Sequence, residues 1–164
     1  MLAVATFLSL VVGGGIFLVV GGDSIPGLNS EYSPAFRTLD KSTFGPTEVL
    51  VQRKNYVFRN EADYFAFWEL IHGNDPAAKR PPLISFAREQ VIAVVGGVRN
   101  EEGFDIYIKD IVDSTEERLI EVGVISSSGE CQTGALKNPY HMVVVKKTDK
   151  PLRAIEIKEE YSCN

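Results

Sequence analysis

The sequence predicts an α+β fold: one helix packed on a mostly antiparallel meander sheet of about five to six strands, preceded by an N-terminal hydrophobic helix. Residues 60–73 have the apolar spacing and the end signals of a helix. From residue 90 onward, apolar strand patterns alternate with short polar turns. Because short connections join antiparallel strands, we expect successive strands of this region to pair as a meander.

The chain begins with an apolar segment, residues 1–22, that has no charged side chain, so all 17 basic and 22 acidic residues lie after it. As a helix, residues 2–20 would span about 28 Å, close to the roughly 30 Å hydrocarbon layer of a bilayer. We therefore expect a membrane anchor with the rest of the chain extracytoplasmic. Secretion after signal cleavage behind Gly22 and a buried helix of the domain are the alternatives. No Lys or Arg precedes the segment, which weakens both export interpretations.

Residues 23–46 are predicted to form a tether. They contain Pro26, Pro34 and Pro46 and have neither helical nor strand periodicity. In the alternative interpretation, residues 36–44 pack back on the domain. The folded α+β domain is then expected over residues 47–164.

The helix of this domain has a signal at each end. A strand pattern over residues 48–58 precedes it, and Asn60 is a good N-cap with Asp63 in the capping-box position. Phe65 and Trp68 lie on one face at helical spacing. Gly73 ends the helix, since glycine tolerates the positive φ that a helix end often requires.

The strands that follow differ in their expected burial. Residues 91–95 are continuously apolar, as in a strand covered on both faces. The helix would cover one face, and the first strand and the tether could cover the other. Residues 104–109 alternate between apolar and polar, with turns on either side at 99–103 and 113–117. Further strands are predicted at 119–125, 140–147 and 153–158. The candidate core residues are Phe65, Trp68, Val91, Val95, Phe104, Ile106, Ile108 and Val144.

Composition and motifs exclude several classes of function. A net charge of −5 argues against a nucleic-acid binder. The sequence contains no nucleophile elbow, zinc-protease motif or nucleotide-binding glycine loop. Residues 126–128 are three serines expected in a flexible loop, His72 is expected to cap the helix, and His141 to lie on a sheet face. We therefore predict no catalytic residue, no metal ligand and no cofactor.

The two cysteines, Cys131 and Cys163, are candidates for a disulfide, because an even count in an exported chain favours one. Such a bridge would join the C-terminal tail to a long loop. Closing a loop of this length contributes roughly 3–4 kcal/mol in the chain-entropy model.

The C-terminal half resembles the PrcB C-terminal domain family. Residues 82–86 (PLISF), 90–97 (QVIAVVGG) and 103–108 (GFDIYI) carry the resemblance, which continues through 130–135 (ECQTGA) and 138–145 (NPYHMVVV). It covers about residues 82–158. The family comprises bacterial exported proteins, some of them accessory subunits of a protease complex. The resemblance implies association with an extracytoplasmic serine protease and implies no catalytic residue.

The sequence thus predicts a non-enzymatic protein-interaction domain whose partner is another protein. We expect the contact surface on the loop 126–140, because it is long and ends in a proline and a tyrosine, a frequent interface anchor. The candidates on it are Gln132, Thr133, Lys137 and Tyr140. In the competing interpretation, Tyr140 starts a strand and packs inward. The alternative functions are an envelope structural domain and a hydrolase with an unrecognised site.

Overall fold

We analysed a computed structural model of the chain, which describes residues 19–20, 33–73, 79–128 and 133–162. In chain order the elements are β1 (Val19–Val20), β2 (Phe36–Ser42), β3 (Lys54–Phe58), α1 (Glu61–His72), β4 (Glu89–Val95), β5 (Arg99–Glu101), β6 (Asp105–Asp113), β7 (Arg118–Ser128), β8 (Thr133–Lys137), β9 (Tyr140–Lys146) and β10 (Leu152–Ser162). One helix and a majority of strands confirm the α+β class.

The strands form two four-stranded sheets and a small ribbon rather than one meander. Sheet A has the order β2-β9-β4-β3 and is antiparallel throughout. Sheet B has the order β1-β10-β7-β6, with β6 and β7 antiparallel and β10 parallel to both β7 and β1. Strands β5 and β8 pair separately. The predicted single meander is therefore wrong: the short connection between β9 and β10 links two different sheets, so it does not require these strands to pair.

The helix and the two sheets make three layers, with sheet A in the middle. Residues of β4 alternate between its two faces: Ile92 and Val94 face sheet B, and Val91, Ala93 and Val95 face α1. All five are fully buried. The apolar run thus marks a doubly covered strand, as predicted. Its second cover is sheet B, and not the first strand and the tether, which instead contribute strands to sheet A itself.

Helix α1 begins and ends where the sequence predicts. The side chain of Asn60 accepts a hydrogen bond from the Asp63 N–H at 2.9 Å, and its amide donates to Asp63 Oδ2 at 2.7 Å. Gly73 has a φ of 75°, and its N–H donates to the Glu69 carbonyl at 2.7 Å. All of the candidate core residues are buried except Phe65, which packs against the helix-side core while partly buried.

Three segments differ from their predicted conformation. Residues 36–42 of the predicted tether are strand β2 at the edge of sheet A, in line with the alternative that 36–44 pack on the domain, so the folded part begins before residue 47. Residues 99–101 of the predicted turn are β5. The serines at 126–128 are the end of β7, paired with residues 160–162 of β10. In each case a distant strand supplies backbone hydrogen bonds that a local pattern does not reveal.

Of the N-terminal apolar segment, only Val19 and Val20 are among the described residues. Val19 and Val20 form β1 and pair with Ala154 and Ile155 of β10. The predicted hydrophobic helix otherwise lies outside the described residues. Within the described part of the chain, no helix combines the length and apolarity needed to cross a bilayer.

Candidate functional site

The structure separates the residues predicted for the contact surface. Tyr140 is 4% exposed, so the prediction that it is a surface contact is wrong and the inward-packed interpretation holds. Lys137 lies opposite Arg99 in the ribbon, and Thr133 begins β8. Gln132 lies outside the described residues, as do Cys131 and Cys163 of the predicted disulfide.

Tyr140 instead belongs to a buried cluster around Asp40 on the edge strand β2. Tyr140 Oη donates to Asp40 Oδ2 at 2.7 Å, and Lys79 Nζ donates to Oδ1 at 2.5 Å. His72 Nε2 lies 2.9 Å from Oδ2, an electrostatic contact whose direction does not suit a hydrogen bond. The His72 ring also packs against the Trp68 ring in a tilted arrangement, with ring centres 4.4 Å apart. The cluster thus joins the end of α1, strand β9 and Lys79 to a single carboxylate.

The charge of this carboxylate is stabilised by its donors. Burial raises the pKa of Asp40, but the hydrogen bonds from Lys79 and Tyr140 and the nearby positive charge outweigh burial, so the pKa lies below its ordinary value. Burial, followed by the bond to Asp40, raises the pKa of Tyr140. A general base needs a free lone pair directed at its substrate, and here both carboxylate oxygens contact internal partners. This geometry suits a structural role for Asp40 better than a role as a proton acceptor.

A cavity of about 470 Å³ lies beside the cluster, lined by Asp40 and His72 and by the loop at Phe44 and Pro46. This loop, residues 44–51, connects β2 to β3 and covers Tyr140. A Cβ placed on Gly45 would come within 2.5 Å of the Asn138 carbonyl oxygen and 2.8 Å of the Tyr140 ring. Only glycine therefore permits so close an approach between this loop and the start of β9.

Asn138, which is 1% exposed, holds the 44–51 loop in place. Its side-chain amide donates to the carbonyl of Pro46 at 2.5 Å and to those of Val49 and Leu50 at 3.3 Å each. The backbone carbonyl of Asn138 accepts a hydrogen bond from the Gly45 N–H at 3.1 Å. Leu50 has a φ of 58°, which costs a residue with a Cβ about 1–2 kcal/mol. These hydrogen bonds keep a strained loop in one conformation.

Three exposed apolar side chains belong to residues that lie close to Asn138 in the backbone. Phe44, which pairs with Asn138, is 66% exposed, and Val51 at the other end of the loop is 53% exposed. Leu136, two residues before Asn138, is 60% exposed. We call Phe44, Val51 and Leu136 the apolar patch. The patch differs from the contact surface predicted from the sequence, because Phe44 and Val51 lie on the predicted tether and strand, outside the loop 126–140.

His141, which the sequence predicted to lie on a sheet face, is a second buried polar residue, in strand β9. Its Nδ1 accepts from the Ile108 N–H of sheet B at 3.0 Å, and its Nε2 is 2.9 Å from Thr38 Oγ1 of sheet A. Burial and the charge of Lys41, opposed by Asp105, lower the pKa of His141 to about 4. The neutral ring therefore links the two sheets.

The anchoring role of Asn138 makes a first prediction. In Asn138→Ala, the carbonyls of residues 46, 49 and 50 lose their donor, so we expect a loss of about 1–3 kcal/mol in the free energy of unfolding. Amide hydrogens of residues 44–51 should exchange at least tenfold faster. Hydrogen exchange read by mass spectrometry measures both effects. The matched control is Asn100→Ala on the exposed ribbon, which should leave exchange in the loop unchanged. Equal exchange in the two variants would contradict the anchoring role.

Among the described residues, no group of three or more His, Cys, Asp or Glu side chains is arranged to hold a metal ion. Comparison of the chain with protein-family models, with curated proteins and with solved structures found no match in any of the three. The resemblance to the PrcB C-terminal domain family therefore stays a prediction from the sequence.

Proposed function

We propose that this chain is a non-enzymatic protein-interaction domain that acts as an accessory subunit of a partner protein. The observation that carries the proposal is the apolar patch on the anchored 44–51 loop. Exposed apolar side chains gathered at one place on a surface mark interaction sites more often than single exposed ones do. Each of the three is close in the backbone to Asn138: Phe44 forms a bridge with Asn138, Val51 follows Leu50, whose carbonyl Asn138 binds, and Leu136 is two residues before Asn138.

The rigidity of the loop supports binding further. A surface that is already ordered loses less conformational entropy when a partner binds than a mobile loop does. Asn138 and the strained Leu50 hold Phe44 and Val51 in place before any contact is made. Backbone strain tends to be retained at functional positions, where the surrounding structure compensates for it.

Two features favour binding over the hydrolase alternative. The Asp40 carboxylate contacts Lys79, Tyr140 and His72, which leaves it poorly placed to take a proton from a substrate. The lining of the adjoining cavity includes Ser42 and His72, but the hydrogen bond described for the Ser42 hydroxyl is one that it accepts from the Phe44 N–H at 3.1 Å, and not one to a base. The family resemblance supports an extracytoplasmic protease as the partner and stabilisation of that protease as the role.

Affinity capture of the chemically crosslinked full chain from its native cells tests this proposal. The triple variant Phe44→Ser/Val51→Ser/Leu136→Ser removes the apolar patch, and we expect recovery of the partner to fall at least tenfold, as for loss of interface anchors. The matched control is Leu70→Ser/Leu83→Ser, which removes apolar side chains that are 42% and 88% exposed elsewhere on the surface.

The partner is identified as a protein that the control recovers in the same amount as the unaltered chain. Equal recovery by the triple variant, with circular dichroism showing that it is folded, would exclude the apolar patch as the contact surface. Recovery of no protein by the unaltered chain would contradict the proposed function itself and favour the structural-domain alternative.

A further inference from the structure

A second cavity, of about 760 Å³, lies at the end of sheet A opposite the apolar patch. It is formed where β9 ends and β4 begins, since Lys146 and Glu89 lie opposite each other in the register of these two strands. Tyr140, beside the 44–51 loop, is at the other end of β9, about 20 Å from Lys146 at 3.3 Å per residue. The lining of this cavity includes three basic residues, Arg88, Lys146 and Lys147, and two acidic ones, Glu89 and Asp149.

The basic side chains of this lining form no ion pair with a carboxylate of the described residues. Of the two acidic residues, Glu89 uses Oε2 to accept from the Ser85 N–H at 3.0 Å, and Asp149 is exposed. Lys147 Nζ donates to the Phe86 carbonyl at 3.1 Å, which positions its charge. In a chain with a net charge of −5, this arrangement gives a local excess of positive charge on a concave surface, where electric fields are concentrated.

The backbone that carries these side chains is held by internal hydrogen bonds. The Lys147 N–H donates to the Arg88 carbonyl at 2.8 Å, and the Lys146 carbonyl accepts from the buried Arg118 guanidinium at 2.6 Å. A wall that is ordered before binding loses less conformational entropy when a ligand arrives. Lysines often protect the edge of a sheet, but β9 is an inner strand of sheet A, so that role does not explain Lys146 and Lys147.

We infer that this cavity binds the phosphate group of a small phosphate monoester. The Arg88 guanidinium can form two parallel hydrogen bonds with a phosphate, and Lys146 and Lys147 supply compact positive charges. A phosphate monoester carries a charge of about −1.5 to −2 at pH 7, which suits several cations better than the single charge of a carboxylate does. The volume leaves room for the organic group, since ligand cavities commonly measure about 300–1,000 Å³. This inference does not depend on the proposed function.

Isothermal titration calorimetry of the full chain with glycerol 2-phosphate, at constant ionic strength, tests the inference. We expect binding that Arg88→Gln/Lys146→Gln weakens about tenfold, because charge-assisted hydrogen bonds to the phosphate are lost. The matched control is Arg59→Gln/Lys158→Gln, which removes two exposed positive charges elsewhere and should keep the affinity of the unaltered chain. Asp149→Asn removes a negative charge from the lining and should tighten binding about twofold.

Three results would overturn the inference. The first is the absence of binding by the unaltered chain. The second is equal weakening in the two double variants, with circular dichroism showing that both are folded, because attraction by overall charge would then explain the binding. The third is equal affinity for acetate and glycerol 2-phosphate, which would assign the cavity to carboxylates. Capture of a partner through the apolar patch, at the other end of sheet A, does not depend on any of these results, so the inference and the proposed function fail separately.

Discussion

Replacement of Arg118 by methionine is expected to lower the free energy of unfolding by about 3–5 kcal/mol, the usual cost of breaking a buried ion pair from one side. Arg118 is 1% exposed, and its guanidinium donates two hydrogen bonds to Asp113, at 2.5 and 2.7 Å. A third goes to the Lys146 carbonyl of sheet A at 2.6 Å, so Arg118 of β7 also joins the two sheets. Methionine fills part of the volume but leaves both acceptors without a donor.

Arg153 provides the matched control. It makes the same type of bidentate pair with Glu117, but the two side chains are 24% and 26% exposed. Arg153→Met should therefore cost less than about 1 kcal/mol, as exposed pairs do. Urea unfolding followed by circular dichroism measures both variants. In Asp113→Asn/Arg118→Met the unpaired charge is gone, so this double variant should be more stable than Arg118→Met alone. Equal stabilities of Arg118→Met and Arg153→Met would contradict the importance of burial.

Acidification from pH 6.5 to pH 4 is expected to destabilise the domain by about 3 kcal/mol through His141 alone, since each pKa unit corresponds to 1.36 kcal/mol. The folded pKa of His141 is about 4, below the ordinary value of 6.5. Between these values the unfolded state binds the proton and the folded state does not. Stability therefore falls as pH decreases through this window and levels off below pH 4. Structurally, a protonated Nδ1 would become a donor facing the Ile108 N–H.

Unfolding free energies of the unaltered chain and of His141→Asn, measured at several pH values, test this. Asparagine can offer an amide oxygen to the Ile108 N–H and does not titrate, so the variant should show a flatter dependence between pH 6.5 and pH 4. Asp40 and Asp113 have lowered pKa values, and their stabilising contributions are lost as pH falls through those values. The loss of these two contributions at low pH should occur in both the unaltered chain and His141→Asn. Parallel pH profiles would show that His141 is not the responsible group.

Local sequence patterns correctly predicted the elements whose stability depends on nearby residues. The caps Asn60 and Gly73 form hydrogen bonds within a few positions of themselves, so the bounds of α1 could be predicted from the sequence. The apolar run of β4 also revealed burial on both faces. The candidate site was much less predictable. The sequence pointed to Tyr140 but left open whether its side chain faces the surface or the core, and no residue pattern around Asp40 indicates its role. Its partners Lys79 and Tyr140 are 39 and 100 residues away.

The class of the fold, the single helix and most of the strands could be predicted from the sequence, because periodicity and capping are properties of contiguous residues. Three features required the folded structure: the division of the strands between two sheets, the pairing of the end of β7, and the anchoring of the 44–51 loop by Asn138. These features depend on hydrogen bonds and packing between residues far apart in the chain, such as the 92 positions from Asn138 to Pro46. Such contacts leave no periodic pattern in either segment.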